Sequence, residues 1–171
     1  MTNLKIGFNA RLGEVRRHTV RGLCNTALRA CGVLLAILSQ PALAANCSFT
    51  SVTAISFGSY NVFAASPNDS GVGTIQINCI GGEANMLVTL STGQSGNYAA
   101  RLMNSGADLL TYNLYTNAAR NVIWGDGTGG SSTMAADRNS TTTLSIFGRI
   151  PGGQDAAVGT YSDFIIATVN F

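Results

Sequence analysis

The chain has 171 residues, enough for one domain with a buried core, and its net charge of +2 averages two unlike parts. In residues 1–45, Lys5, Arg11, Arg16, Arg17, Arg21 and Arg29 stand against one acid, Glu14. In residues 46–171, Arg101, Arg120, Arg138 and Arg149 are outnumbered by Asp69, Glu83, Asp108, Asp126, Asp137, Asp155 and Asp163. The second part is mildly acidic, which excludes a nucleic-acid reading based on overall basicity.

Residues 1–45 read as a secretory signal peptide. A basic stretch leads into the apolar run Val33–Leu38, then Ser39-Gln40-Pro41 and the small-residue site Ala42-Leu43-Ala44, so cleavage is expected after Ala44 or Ala45. The apolar run is far short of the ~20 residues that a membrane span needs. Lipidation of Cys47 is disfavoured, because Asn46 stands where a small residue is required. Cys24 and Cys31 would leave with the leader. The remaining pair, Cys47 and Cys79, is expected to form one disulfide in an exported protein. Free or metal-binding thiols are the alternative, but residues 46–171 hold no His to complete a zinc site.

From Asn46 onward the pattern predicts an all-β antiparallel sandwich with six main strands. The first runs through Ser48–Tyr60, and the Ser-Pro-Asn-Asp-Ser-Gly loop at 66–71 ends it. Thr74–Cys79 follows, with Ile75, Ile77 and Cys79 on one face, and then Met86–Thr92. After the turn at 93–97 come a short piece, Arg101–Met103, and the strand Leu109–Thr116. A short piece, Val122–Trp124, enters the Gly-rich loop 125–132. Thr141–Ile150 and Tyr161–Phe171 close the series, the last with Ile165, Ala167, Val169 and Phe171 in alternation. A complete immunoglobulin-like sandwich uses seven strands. Counting alone leaves open whether the last strand is an ordinary edge or awaits a neighbour.

The chemistry that this region lacks is informative. Residues 46–171 contain no His, no Lys and a single Glu, so most acid–base and nucleophilic assemblies cannot be built, and no enzyme is expected. His18, the one His, lies in the leader. Gly93-Gln94-Ser95-Gly96 resembles a nucleophile elbow, but Asn97 replaces the closing Gly and no base accompanies the serine. Gly125–Gly130 matches G-x-G-x-x-G, yet a strand pattern rather than a helix follows it, so no phosphate site is expected. A calcium site at Asp126 lacks further donors at suitable spacing. No metal or cofactor is expected. Trp124, with Tyr112 and Tyr115, is a candidate ligand-contact aromatic for a glycan, weighed against core packing.

Several segments in chain order carry a family resemblance. They are Ile55–Tyr60, Ile75–Cys79, Arg101–Met103, Leu110–Thr116, Trp124–Gly127, Phe147–Pro151 and Gly159–Asp163, followed by the aromatic-ended last strand. On these, residues 47–171 resemble the spore coat protein U (SCPU) domain family, which includes pilin subunits of archaic chaperone–usher pili. The resemblance implies an immunoglobulin-like sandwich lacking its last strand. A periplasmic chaperone would hold it, and an extended strand from a neighbouring subunit would complete it. Ile165, Ala167, Val169 and Phe171 would then form one wall of the open groove.

The implied partners are that chaperone, an outer-membrane usher and neighbouring subunits, with no nucleic acid and no membrane span. The implied route is export through the periplasm to the cell surface, pilus or extracellular space. The implied role is adhesion or biofilm formation. Cleavage near Ala45 would leave one or two residues before Cys47, and the residues ahead of it are expected to be poor donor material. The chain would accept a strand without donating one, as suits a terminal or tip position or a family member that never polymerises; a misplaced cleavage site is the competing explanation. The alternatives are a self-complete secreted spore-coat or matrix protein, or a glycan-binding adhesive module.

Overall fold

The computed structural model of the chain describes residues 3–12, 46–81 and 86–170. Phe171 and residues 13–45, which hold most of the expected leader, lie outside the described residues. Ten strands are present among those described: β1 (Asn3–Leu12), β2 (Asn46–Thr53), β3 (Ile55–Ser59), β4 (Val72–Ile80), β5 (Met86–Leu90), β6 (Arg101–Ser105), β7 (Asp108–Tyr115), β8 (Met134–Ala136), β9 (Ser140–Arg149) and β10 (Tyr161–Asn170). Among the described residues the one helical element is a 3₁₀ turn at Gly93–Ser95.

Period-2 alternation decides the layers. In β4, Gly73, Ile75, Ile77 and Cys79 point inward, and in β10 Tyr161, Asp163, Ile165, Ala167 and Val169 do so. Burying each large apolar side chain favours folding by about 1.5–3 kcal/mol. One layer has the order β2-β4-β9-β7, joined by antiparallel ladders. The other contains β8-β5-β10, with β6 pairing both β10 and β7.

β7 serves both layers. Its residues Asp108–Tyr112 pair with β6, whereas Asn113–Tyr115 pair with β9. Tyr112, Asn113 and Leu114 are buried in succession, so alternation fails where the strand passes from one layer to the other.

The expected single strand at Ser48–Tyr60 is two strands. β2 pairs with β4, the chain breaks at Ala54, and β3 joins the other layer. Gly73 permits this crossing, because a Cβ there would lie 2.7 Å from both the Ile55 side chain and the Thr53 carbonyl oxygen. Gly71 and Gly148 serve the same corner: a Cβ at either would overlap the Phe57 ring, which occupies the space that two side chains would otherwise fill. Phe57 meets Tyr112 edge-on, with ring centroids 6.2 Å apart.

The disulfide joins Cys47 of β2 to Cys79 of β4, which are direct partners in the ladder, with both side chains buried. β8 carries no alternation of its own, and its pairing with β5 defines it. The loop at 66–71 is held by Asp69. Its carboxylate accepts two bonds from Arg149, at 2.7 Å each, and lies 3.4 Å from Arg120 Nε.

Candidate functional site: the groove between β10 and β3

One edge of β10 is paired inside the domain, at Ser162 with Asn104 of β6 and over Ala167–Asn170 with Leu87–Leu90 of β5. The other edge faces β3. No ladder joins β10 to β3, and among described residues 46–170 nothing pairs with that edge of β10. Away from the gap, β3 is tied to a loop, where Asn68 Nδ2 and Ser70 Oγ donate to the Phe57 carbonyl oxygen at 3.0 and 2.8 Å. The gap is thus one strand wide and walled on both sides by fixed backbone.

In the full chain β1 fills this gap. It runs parallel to β10 through nine pairs, from Leu4↔Tyr161 to Leu12↔Val169. It runs antiparallel to β3 through Asn3↔Ser59, Leu4↔Gly58, Lys5↔Ser56 and Ile6↔Ile55, with a bulge opposite Phe57. Asn3–Leu12, which the sequence reading places in the leader as poor donor material, is seated here as a strand within its own chain. The missed signal lies in the sequence itself: Leu4, Ile6, Phe8, Ala10 and Leu12 alternate with Lys5, Gly7, Asn9 and Arg11. Basic residues at the alternate positions gave the segment the look of a leader.

Ile165, Ala167 and Val169 lie at the inward positions of β10 that alternation gives them. With β1 in place, Ile165, Ala167 and Val169 are buried on β10, and Ile55 and Phe57 are buried on β3. Phe171 lies outside the described residues.

A polar network, not anticipated from sequence, anchors the β10 wall. The carboxylate of Asp163 is fully buried. Its Oδ2 accepts from the Tyr112 hydroxyl at 2.7 Å, and its Oδ1 accepts from the Gln94 and Phe164 amides at 3.1 and 2.7 Å. Gly93 makes this approach feasible. Its φ of +66° suits glycine, and a Cβ there would overlap the carboxylate. Burial, reinforced by the neighbouring carboxylate, pushes the Tyr112 hydroxyl well above its ordinary pKa.

Arg101, also fully buried, donates to the Ser91 carbonyl at 3.1 and 2.8 Å, to Asn113 Oδ1 at 2.7 Å and to the Trp124 carbonyl at 2.7 Å. Burial lowers its pKa, opposed by the fields of Tyr112, Tyr98 and Asp163. The network ties β6, β7, β10 and the Trp124 loop together, and its donors and acceptors are matched. Charges at inward-phase positions, Arg101 in step with Met103 and Asp163 between Tyr161 and Ile165, were the available clue.

Trp124 lies inside the sandwich. It is fully buried, and its Nε1–H donates to the Val88 carbonyl at 3.0 Å. No ring face is open to stack on a sugar, and Tyr112 is buried as well. Phe63, by contrast, is 93% exposed. The Gly-rich loop closes on itself, with Asp126 Oδ1 accepting from the Thr128 amide and hydroxyl at 2.9 and 2.7 Å.

The Spore Coat Protein U domain model matches residues 33–168, most of the chain. The chain belongs to the Spore Coat Protein U domain family. Among curated relatives, Protein U of Myxococcus xanthus is 29% identical over 109 residues. That match covers 59% of this chain and 60% of Protein U, so the chain spans less than two thirds of that relative. Among solved structures, the CsuC–CsuE chaperone–tip adhesion subunit pre-assembly complex from archaic chaperone–usher Csu pili of Acinetobacter baumannii is similar at 20% identity, with a TM-score of 0.47. The similarity covers 75% of this chain and 40% of that one. The SCPU-like segments read from sequence are fold determinants. Arg101 anchors the buried network, Gly148 admits Phe57, and Arg149 pins Asp69.

Proposed function

We infer that this SCPU protein is an exported, non-enzymatic structural subunit of a chaperone–usher type surface pilus, completed by a strand from a partner. The observation that carries this reading is the gap between β10 and β3, which the described residues of 46–170 leave without a strand and Asn3–Leu12 fills. Removal of residues 1–45 as a signal peptide would take Asn3–Leu12 away. Each exposed backbone edge would then seek a partner, and an extended segment could satisfy both edges at once. Ile165, Ala167, Val169 and Phe171 would line the vacated groove. A periplasmic chaperone would fill it first and a neighbouring subunit later, with the usher as exit route and adhesion or biofilm formation as the outcome.

Recovery of the exported protein from periplasm tests this. The expected result is a stoichiometric complex with a second protein whose strand protects the Tyr161–Asn170 amides from exchange. Recovery as a partner-free soluble monomer beginning near Asn46 would reject it.

A second reading is a self-complete secreted coat or matrix protein, favoured by the same Asn3–Leu12 strand, since the full chain closes its own sheet. It requires that the exported product keep Asn3–Leu12, which an intact-mass measurement decides.

A further inference from the structure

We propose that Asn3–Leu12 is a placeholder strand, which occupies the β10–β3 groove in cis and keeps the uncleaved chain from accepting another molecule's strand. The proposal rests on the reading of that groove as a strand acceptor, and adds a state in which the acceptor is blocked by its own chain.

Two independent observations meet here. The first is backbone geometry: β1 pairs with both walls of the gap, through nine residue pairs to β10 and four to β3. A strand so placed satisfies two rows of amides and carbonyls that would otherwise be unpaired. The second is the period of the sequence. Leu4, Ile6, Phe8, Ala10 and Leu12 fall in register with Tyr161, Asp163, Ile165, Ala167 and Val169, the buried positions of β10. A slip of one residue would put Lys5, Gly7, Asn9 and Arg11 at those positions instead, so the pattern specifies one register. A segment needed only for a positive charge ahead of an apolar run has no reason to alternate over nine residues.

The consequence is a two-state acceptor. While residues 1–45 remain attached, the groove is occupied at the high effective concentration of a tethered segment. Once they are removed, it is available. The placeholder thereby acts in a chain that folds before export, which stays closed to other strands, and the exported, cleaved chain is the open form.

The test uses the full chain with its cleavage site blocked by Ala42→Leu and Ala44→Leu, made in an oxidising cytoplasm, with Cys24→Ser and Cys31→Ser. Asn9→Cys and Ile166→Cys are placed at partnered positions. Mild oxidation should give a monomer with an internal link between residues 9 and 166. Asn9→Cys with Ser162→Cys, four residues out of register, should link at least tenfold more slowly. Disulfide-linked dimers would overturn the proposal, since the segment would then be donated in trans, as would the absence of a link.

A second measurement needs no new cysteines. Hydrogen exchange on the cleavage-blocked chain should show Tyr161–Val169 protected. Phe8→Asp with Ala10→Asp should lose that protection at least tenfold while the β4–β9 ladder keeps its own; unchanged protection in the double variant would overturn the proposal. A failed link in a chain whose cleaved form still requires a partner strand removes the placeholder alone. A correct link beside a cleaved form that is stable by itself removes the acceptor reading instead.

Discussion

Tyr112 donates its phenolic hydrogen to Asp163 Oδ2 at 2.7 Å, in a core where both side chains are shielded from water. The bond crosses from β7 to β10 and fixes the inner wall of the groove. Tyr112→Phe keeps the ring that packs on Phe57 but leaves a buried carboxylate oxygen short of a donor. A loss of about 1–3 kcal/mol is expected, read from the urea midpoint of the cleavage-blocked chain. The same pair sets an alkaline limit. Tyr112 has a folded pKa raised by burial, so its contribution is complete below the ordinary tyrosine pKa near 10 and declines above it. The tyrosinate absorbance of this residue should therefore rise together with unfolding.

Arg101 should be less replaceable than any surface arginine. Arg101→Met would leave the Ser91 and Trp124 carbonyls without their buried donor and Asn113 Oδ1 with the Leu114 amide alone. A destabilisation of roughly 3–5 kcal/mol is expected, and Arg101→Lys, which cannot reproduce the fork, should recover only a minor part. Arg138→Met, at an exposed loop position, should fall within about 0.5 kcal/mol of the parent. Denaturant melts of the three variants compare them directly.

The Asp69 pair should appear in the acid limb of the stability profile. The Arg149 bonds and the fields of Arg120 and Arg149 hold its carboxyl below the ordinary carboxylate range, with burial opposing. A depressed folded pKa stabilises above the unfolded value, near pH 4, and the contribution is lost as pH falls through the folded value. Asp69→Asn should flatten that limb, with the larger change in melting temperature at pH 6 and little at pH 2.

Reduction of Cys47–Cys79 should cost about 3–4 kcal/mol on the chain-entropy model, for two residues 32 apart in sequence. Cys47→Ala with Cys79→Ala should show the same loss without reductant. Equal midpoints for oxidised and reduced protein would contradict it.

Much of the fold was legible because one physical signal, alternation, marks each long strand. β4, β9 and β10 were found within two residues at either end. β8 was not, because three residues show no period and only β5 makes them a strand. The split between β2 and β3 was hidden for a related reason: it depends on Gly73, whose missing side chain matters only once Ile55 and Thr53 lie over it. At the N-terminus the basic residues drew the reading to charge, and the alternation of Leu4, Ile6, Phe8, Ala10 and Leu12 went unread beside it. The buried network was not legible, because a charge at an inward-phase position names no partner by itself. Arg101 and Asp163 lie far apart in sequence, and the acceptors of one and donors of the other are set by tertiary structure. Trp124 beside a glycine loop allows either core packing, the commoner case for a sandwich aromatic, or a ligand contact, and the loop folds so that the indole reaches Val88 inside the core.

The central claim is that residues 46–171 cannot close their own sheet. Thermal unfolding of that region produced alone with its disulfide formed, followed by near-ultraviolet circular dichroism and sedimentation, tests it most directly. The account predicts aggregation, or a species with no cooperative transition, beside a folded cleavage-blocked chain. A monomer of residues 46–171 that unfolds cooperatively as hot as the full chain would contradict it.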